Sequence, residues 1–289
     1  MSVLDEIVKA YDIRGTVPDQ LDEQVAHALG VGFAKLIDAD RVLVARDMRE
    51  SGIALVEAFS RGVMEHGIDV IDLGLASTDM VYFAAGVLDS PGAMFTASHN
   101  PAQYNGVKFC LAGAQPVGSD SGLAEIRATS STVLDGLGPR PAERAGSRTT
   151  RDVLPDFVEH VITFVDVEQI APMRVVADTA NGMGGLVVPA VFAQLPVELE
   201  ILFPELDGTF PNHPADPLNM DNLTDLRARV LETGADLGLA FDGDADRVFL
   251  VDELAEPGSG SRTTAIVASG MLDKNPGAPG ISHRICSRA

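Results

Sequence analysis

The chain has 289 residues, 46% of them hydrophobic, enough to fill two ordinary domain cores and too many for intrinsic disorder. Its formal net charge is −21, from 42 acidic against 21 basic residues, so phosphate backbones and anionic lipid are repelled and neither nucleic acid nor membrane is expected as a partner. An anionic substrate would need local Arg, Lys, metal or backbone N–H groups to reverse that field.

The N-terminus, "MSVLDEIVKAYDIRG", carries acids where a signal peptide carries bases, and it lacks an apolar h-region. No stretch approaches the roughly 18 uncharged apolar residues of a membrane span. Cys110 and Cys286 stand alone, in no C-x-x-C pattern, as expected of a reducing compartment. A cytoplasmic protein is expected.

Along the chain, "RVLVARD" predicts a strand, followed by a helix that Ser51 caps and in which Ile53, Val56, Phe59 and Val63 share a face. "DVIDLG" predicts a second strand, residues 78–88 a short helix, and "GAMFTA" a third strand. Residues 136–151, "GLGPRPAERAGSRTTR", lack apolar periodicity and read as a linker. The rhythm then repeats. "RVVADTANG" is a strand, "GGLVVPAVFAQL" a helix with Pro189 near its start, and "VELEILF" a strand before a loop rich in Pro, Asn and Asp. "LTDLRARVLETGA" is a helix, and "DLGLAFDGDADR" a strand ending in carboxylates. "TTAIVASGML" can form one more helix, whereas "DKNPGAPGISHRICSRA" holds too little apolar sequence to finish a domain, and "GISHRICSRA" is too polar for a buried strand.

This alternation predicts an α/β fold of mixed, mostly parallel sheets flanked by helices in repeated α/β domains. The expected domains are 1–135, 152–253 and the opening of an incomplete third over 254–289. Parallel α/β sheets bind ligands at the carboxyl ends of strands. The unusual polar loops, "ARDMRES", "FTASHNP", "DTANGMG" and "FDGDADR", all follow strands.

In "LGLAFDGDADRVFLVD", Asp242, Asp244 and Asp246 stand at alternate positions. Like charges so close repel, and a hard cation such as Mg²⁺ or Ca²⁺ accounts for them. An EF-hand would put Glu253 at its twelfth position, but Arg247 then occupies the sixth, where the loop needs glycine. An aspartyl-phosphate phosphatase would need a downstream lysine and further acids, for which the remaining sequence leaves little room. A solvated acidic turn is the bland alternative. Arg247 would offer a fork for phosphate oxygens beside a metal.

Pro101 biases Asn100 to extended backbone, so Ser98 sits in a loop at a strand end. Asn105-Gly106 signals a tight turn that would return Lys108 toward Ser98. "TASHN" is not the G-x-S-x-G of a serine hydrolase, and the adjacent His99 is poorly placed as a base. Alone, Ser98 reads as a loop or cap residue. Beside three carboxylates and a metal, a phosphorylated serine becomes a sensible reading, its dianion a further oxygen ligand.

"AYDIRG", "TASHNPAQYNGVKF" and "FDGDADR", in that order and spacing, resemble the α-D-phosphohexomutase family, closest to its phosphomannomutase/phosphoglucomutase branch; "TANGMG" and "FPNHPADP" fit as well. The resemblance implies a four-domain enzyme whose first three domains share an α/β fold. It implies Ser98 as the phosphoserine, and Ser98, Asp242, Asp244 and Asp246 as ligands of one Mg²⁺. Arg14 and Arg247 would stabilise the phosphoryl group in flight, and Lys108 and His99 would assist proton transfer. The partners implied are a hexose phosphate substrate and a hexose 1,6-bisphosphate intermediate. Phosphoglucosamine mutase is the neighbouring alternative, and a truncated, non-catalytic Mg²⁺- and phosphosugar-binding fragment the non-enzyme one.

Read residue by residue, Arg14 could equally be a surface ion pair, Lys108 a solvated strand residue, His99 a hydrogen-bonded loop residue, and Asn181 a turn residue. As a base, Lys108 would need a pKa depressed by nearby cations. The match stops inside the third domain, so efficient mutase turnover is not expected from these residues alone. "VDELAEPG" also has Leu254-Ala255 where a glycine-containing turn is expected.

Overall fold

A computed structural model describes residues 2–274, so Cys286 and the polar "GISHRICSRA" segment lie outside the described residues. The strands form two sheets. The first contains β1 (Ile13–Thr16), β2 (Arg41–Arg46), β3 (Asp69–Leu75), β4 (Gly92–Phe95), β5 (Tyr104–Leu111), β6 (Gln115–Pro116) and β7 (Arg148–Thr150), in the order β1-β5-β4-β2-β3-β7 with β6 on β5. Strands β4, β2, β3 and β7 pair in parallel, while β1, β5 and β4 pair antiparallel. The second sheet has β8 (Met173–Asp178), β9 (Val197–Leu202), β10 (Leu237–Phe241) and β11 (Val248–Asp252), in the order β11-β10-β8-β9, with only β11 antiparallel. The mixed α/β class expected from the sequence is the one observed.

The helices are α1 (Val3–Ile7), α2 (Glu23–Leu36), α3 (Ser51–Met64), α4 (Thr78–Val87), α5 (Ala124–Leu134), α6 (Leu154–Ile162), α7 (Gly184–Phe192), α8 (Thr224–Thr233) and α9 (Gly260–Lys274). Alternation along β2 assigns its faces. Val42 and Val44 join the core under α2, α3 and α5, and Leu43 and Ala45 join the core under α4 and α6. Phe33, Phe59, Phe95 and Phe109 pack as one cluster in the first of these, Phe33 stacked on Phe109 with centroids 4.6 Å apart. The second sheet is covered likewise, by Leu226 and Val230 of α8 on one face and Val188 and Phe192 of α7 on the other.

Helix α2 is buried on most of its surface, with Glu23, Gln24 and Lys35 exposed. It lies unusually close to α3. A Cβ on Gly30 would fall 2.2 Å from the Phe59 carbonyl oxygen, and one on Gly62 2.3 Å from that of His27.

Several local expectations change. Ile53 is 57% exposed, and Leu55, Val56, Phe59 and Val63 form the buried face of α3. Ser51 does not cap that helix; its Oγ accepts from Asn105 Nδ2 at 2.9 Å. Asn105-Gly106 is no turn but part of β5, where Gly106 is needed because a Cβ would lie 2.2 Å from the Ile13 carbonyl. Within the expected linker, residues 148–150 form β7, an edge strand of the first sheet. Pro189 lies inside α7 rather than at its start. Ala255 holds φ +61° in the turn where a glycine was expected.

Candidate active site

The loop after β10 presents the three aspartates toward the loop after β4. Asp242 and Asp244 are fully buried, Asp246 is partly exposed, and one carboxylate oxygen from each lies within 4.8 Å of the others. Ser98 is 3% exposed, holds φ +51°, and donates from Oγ to Asp242 Oδ2 at 2.6 Å. Gly243 lets the two loops approach this closely: a Cβ there would lie 2.4 Å from the Ser98 carbonyl oxygen.

Arg247 closes the other side of the serine. Its Nη2 donates to Ser98 Oγ at 2.5 Å and its Nε to Asp242 Oδ2 at 2.9 Å. The same Nη2 faces His99 Nδ1 at 2.6 Å. Burial and then the Arg247 charge push the His99 pKa down, so the ring is neutral near pH 7. Arg14, on β1, reaches the serine loop through the Asn100 side chain and pairs with Asp12.

Lys108, on β5, points across to the second unit. Its Nζ donates to Asp244 Oδ2 at 2.6 Å and Asp246 Oδ2 at 2.7 Å. Burial would lower its pKa, but the two carboxylates outweigh burial and raise it, the reverse of the cation-driven depression expected from the sequence. Lys108 is therefore an ammonium here. Burial and the Asp244 charge raise the Asp242 pKa; for Asp244 itself, Lys108 and the Thr78 hydroxyl overcome burial and lower it. Thr78 Oγ1 donates to Asp244 Oδ2 at 2.6 Å.

Three converging carboxylates and a hydroxyl suit a hard divalent cation. One further observation fits: Asp244 Oδ1 is buried with no hydrogen-bond partner, an arrangement too costly to leave unused. The structure thus brings Ser98, His99, Lys108, Arg247 and the three aspartates into one contact network, with Arg14 joined to it through Asn100.

Residues 5–133 match phosphoglucomutase/phosphomannomutase alpha/beta/alpha domain I, and residues 155–256 match alpha/beta/alpha domain II of the same family. The chain belongs to the phosphoglucomutase/phosphomannomutase family. It is 40% identical over 270 residues to the phosphohexose mutases of Xanthomonas campestris, covering 93% of this chain and 59% of that one. It is 38% identical over 288 residues to the phosphomannomutase/phosphoglucomutase of Pseudomonas syringae, covering 98% and 60%. A crystal structure of a phosphoglucomutase/phosphomannomutase family protein from Burkholderia thailandensis superposes with a TM-score of 0.85 at 35% identity, covering 96% of this chain and 60% of that one. The chain spans about 60% of the length of these family relatives.

Sequence reading of this family member missed three contributors. Thr78, the first residue of α4, caps the Asp244 carboxylate and donates its backbone N–H to the Asp244 carbonyl at 3.2 Å. Asp79 beside it has its pKa pushed up to about 6, by burial and then by Asp246 and Asp244. Arg49 is 1% exposed and donates to the carbonyls of Ser98, Asn100, Pro101 and Tyr104. The "ARDMRES" loop was a visible signal for Arg49, but its partners lie some fifty residues away. Asn181, at φ +58° and bonded to the Glu205 carbonyl, is a turn residue.

Proposed function

We propose that the chain carries the phosphoryl-transfer site of a phosphohexomutase, which interconverts hexose 6-phosphate and hexose 1-phosphate with mannose, glucose or both as the sugar. The observation that carries this reading is Ser98 Oγ held between Asp242 at 2.6 Å and the Arg247 guanidinium at 2.5 Å. A hydroxyl so placed is oriented for a phosphoryl group and flanked by charge that would stabilise one.

In this reading phosphorylated Ser98 gives its phosphoryl group to the free sugar hydroxyl. A P–O bond forms at the sugar oxygen as the P–Oγ bond breaks, and the proton of the sugar hydroxyl ends, net, on the freed Ser98 Oγ. The resulting hexose 1,6-bisphosphate reorients and returns its other phosphoryl group to Ser98 Oγ. Arg247 donates to Oγ throughout, stabilising the charge that develops when the bond to phosphorus breaks. Arg14 adds a second guanidinium beside the serine loop. Lys108, which reaches the site beside Asp244 and Asp246, assists proton transfer in this reading. His99 accepts from Arg247 and fixes the direction of its fork.

Ser98, with its phosphoryl oxygens, and Asp242, Asp244 and Asp246 would hold one Mg²⁺, which when bound neutralises charge on the transferring group. The acidic surface disfavours nucleic acid, and no helix among the described residues is long and apolar enough to cross a membrane. Cys110 is buried and unpaired among the described residues, and a cytoplasmic location is part of this reading.

A coupled assay primed with glucose 1,6-bisphosphate, offering mannose 1-phosphate, glucose 1-phosphate and glucosamine 1-phosphate in turn, tests the reading. Ser98-dependent turnover of mannose or glucose phosphate supports it. Preference for the glucosamine phosphate would move the chain to phosphoglucosamine mutase. No Ser98-dependent turnover would leave a Mg²⁺- and phosphosugar-binding chain without the reaction.

A further inference from the structure

We infer that Arg49 is a positioning residue for Ser98, and that Phe210 of the second unit makes this positioning depend on how the two units are docked. The inference rests in one of its two measurements on the phosphoserine reading, and in the other on the fold alone.

Ser98 occupies the left-handed region at φ +51°, a conformation that costs a non-glycine residue free energy and persists only where surroundings impose it. Its Oγ is held by Asp242 and Arg247 and its N–H by Thr96 Oγ1 at 2.9 Å, and the carbonyls of the turn are held by Arg49. Arg49 Nη1 donates to Pro101 O at 2.8 Å and Tyr104 O at 3.0 Å, and Nη2 to Asn100 O at 2.7 Å and Ser98 O at 3.0 Å. One planar fork thus gathers four carbonyls of the serine loop, a geometry a lysine ammonium cannot reproduce. Arg49 is itself fixed by Asp47, whose carboxylate accepts from Arg49 Nε at 3.2 Å and from its backbone N–H at 2.9 Å.

The second unit closes on this turn from outside. Gly208 approaches so near that a Cβ would stand 2.6 Å from Arg49 Cα, and the Phe210 ring lies 5.1 Å from the guanidinium carbon. A cation–π contact with a buried guanidinium holds the fork in plane over the loop. Gly243, from the loop that bears the aspartates, packs on the Ser98 carbonyl from the other side. The serine backbone is therefore held by both units, and only with both in place does Oγ face the carboxylates. An ordinary buried ion pair between Asp47 and Arg49 would require neither the four carbonyls nor Phe210.

Two variants and two measurements test this. Phe210→Leu leaves every group that touches Ser98 in place; Arg49→Lys keeps the charge opposite Asp47 and removes the fork. Amide hydrogen exchange over residues 96–106 is followed in the unphosphorylated protein. The maximal rate and half-saturating concentration of Ser98 phosphorylation are followed with glucose 1,6-bisphosphate. Phe210→Leu is expected to speed exchange of this segment, but not of the second sheet, by about tenfold. It should slow the maximal phosphorylation rate by a similar factor. Arg49→Lys is expected to slow that rate about a hundredfold, the cost of a small misplacement of the reacting oxygen. In both, half-saturation should stay within about twofold, because neither Arg49 nor Phe210 is among the groups assigned to the phosphoryl group or the metal. Exchange over 96–106 and maximal rate within twofold of wild type in Phe210→Leu would overturn the inference, as would loss of stability in Arg49→Lys with no local change in exchange. If the wild-type protein takes no phosphate, the phosphoserine reading fails, and the exchange measurement alone decides the role of Arg49.

Discussion

Lys108 Nζ stands 2.6 Å from Asp244 Oδ2 and 2.7 Å from Asp246 Oδ2, so a positive charge from the first sheet sits among the carboxylates of the second. A lysine there neutralises part of a charge cluster that would otherwise repel itself, and it competes with any divalent cation that seeks the same oxygens.

Lys108→Met is therefore expected to raise Mg²⁺ affinity about tenfold by calorimetric titration, since one opposing charge is removed. The same variant should melt lower than wild type without Mg²⁺, because buried carboxylates lose their partner, and should gain more on adding it. Asp244→Asn should weaken binding about a hundredfold or more. Weaker binding in Lys108→Met would show that the lysine assists the cation instead of competing with it.

Metal binding should also depend on acidity. Burial, followed by the Asp244 charge, pushes the Asp242 pKa up to about 7 in the metal-free protein. A ligating carboxylate must lose its proton, so Mg²⁺ affinity should fall as pH drops through neutrality, well above the usual carboxylate range. Affinity flat between about pH 8 and pH 6 would contradict this assignment.

How much of this was legible beforehand differs residue by residue. Asp242, Asp244 and Asp246 announced themselves because packing gives no reason to alternate three charges. Ser98 was legible only in their company. Arg49 was not, since its four carbonyl partners belong to a loop that only the parallel pairing of β2 with β4 brings near. Asn105-Gly106 misled because the dipeptide is used for contact, with Ser51 and with the Ile13 backbone, rather than for positive φ.

The close approach of α2 to α3 predicts that Gly30→Ala destabilises the protein by about 2 kcal/mol or more, read from the urea midpoint. The added methyl would meet the Phe59 carbonyl at 2.2 Å, and backbone cannot yield as a flexible side chain can. A midpoint unchanged from wild type would mean that the helices separate at no cost.

Ala255 offers the opposite case. Its φ of +61° is strained for alanine and free for glycine, so Ala255→Gly should stabilise the β11 turn. A gain of about 0.5 kcal/mol by chemical denaturation is expected once the greater unfolded-state entropy of glycine is subtracted. Destabilisation would show that the turn relies on the Ala255 methyl, which is buried beside Leu226 and Val230 in the core under α8.

The central claim is that Ser98 carries the phosphoryl group, and intact-mass measurement reads it directly. After incubation with glucose 1,6-bisphosphate and Mg²⁺, the wild-type chain should gain a single phosphate that maps to Ser98, and Ser98→Ala should gain none. Treatment with hexose 6-phosphate should then remove it. No mass gain in a folded, Mg²⁺-binding protein, or a phosphate mapped to another residue, would contradict the account.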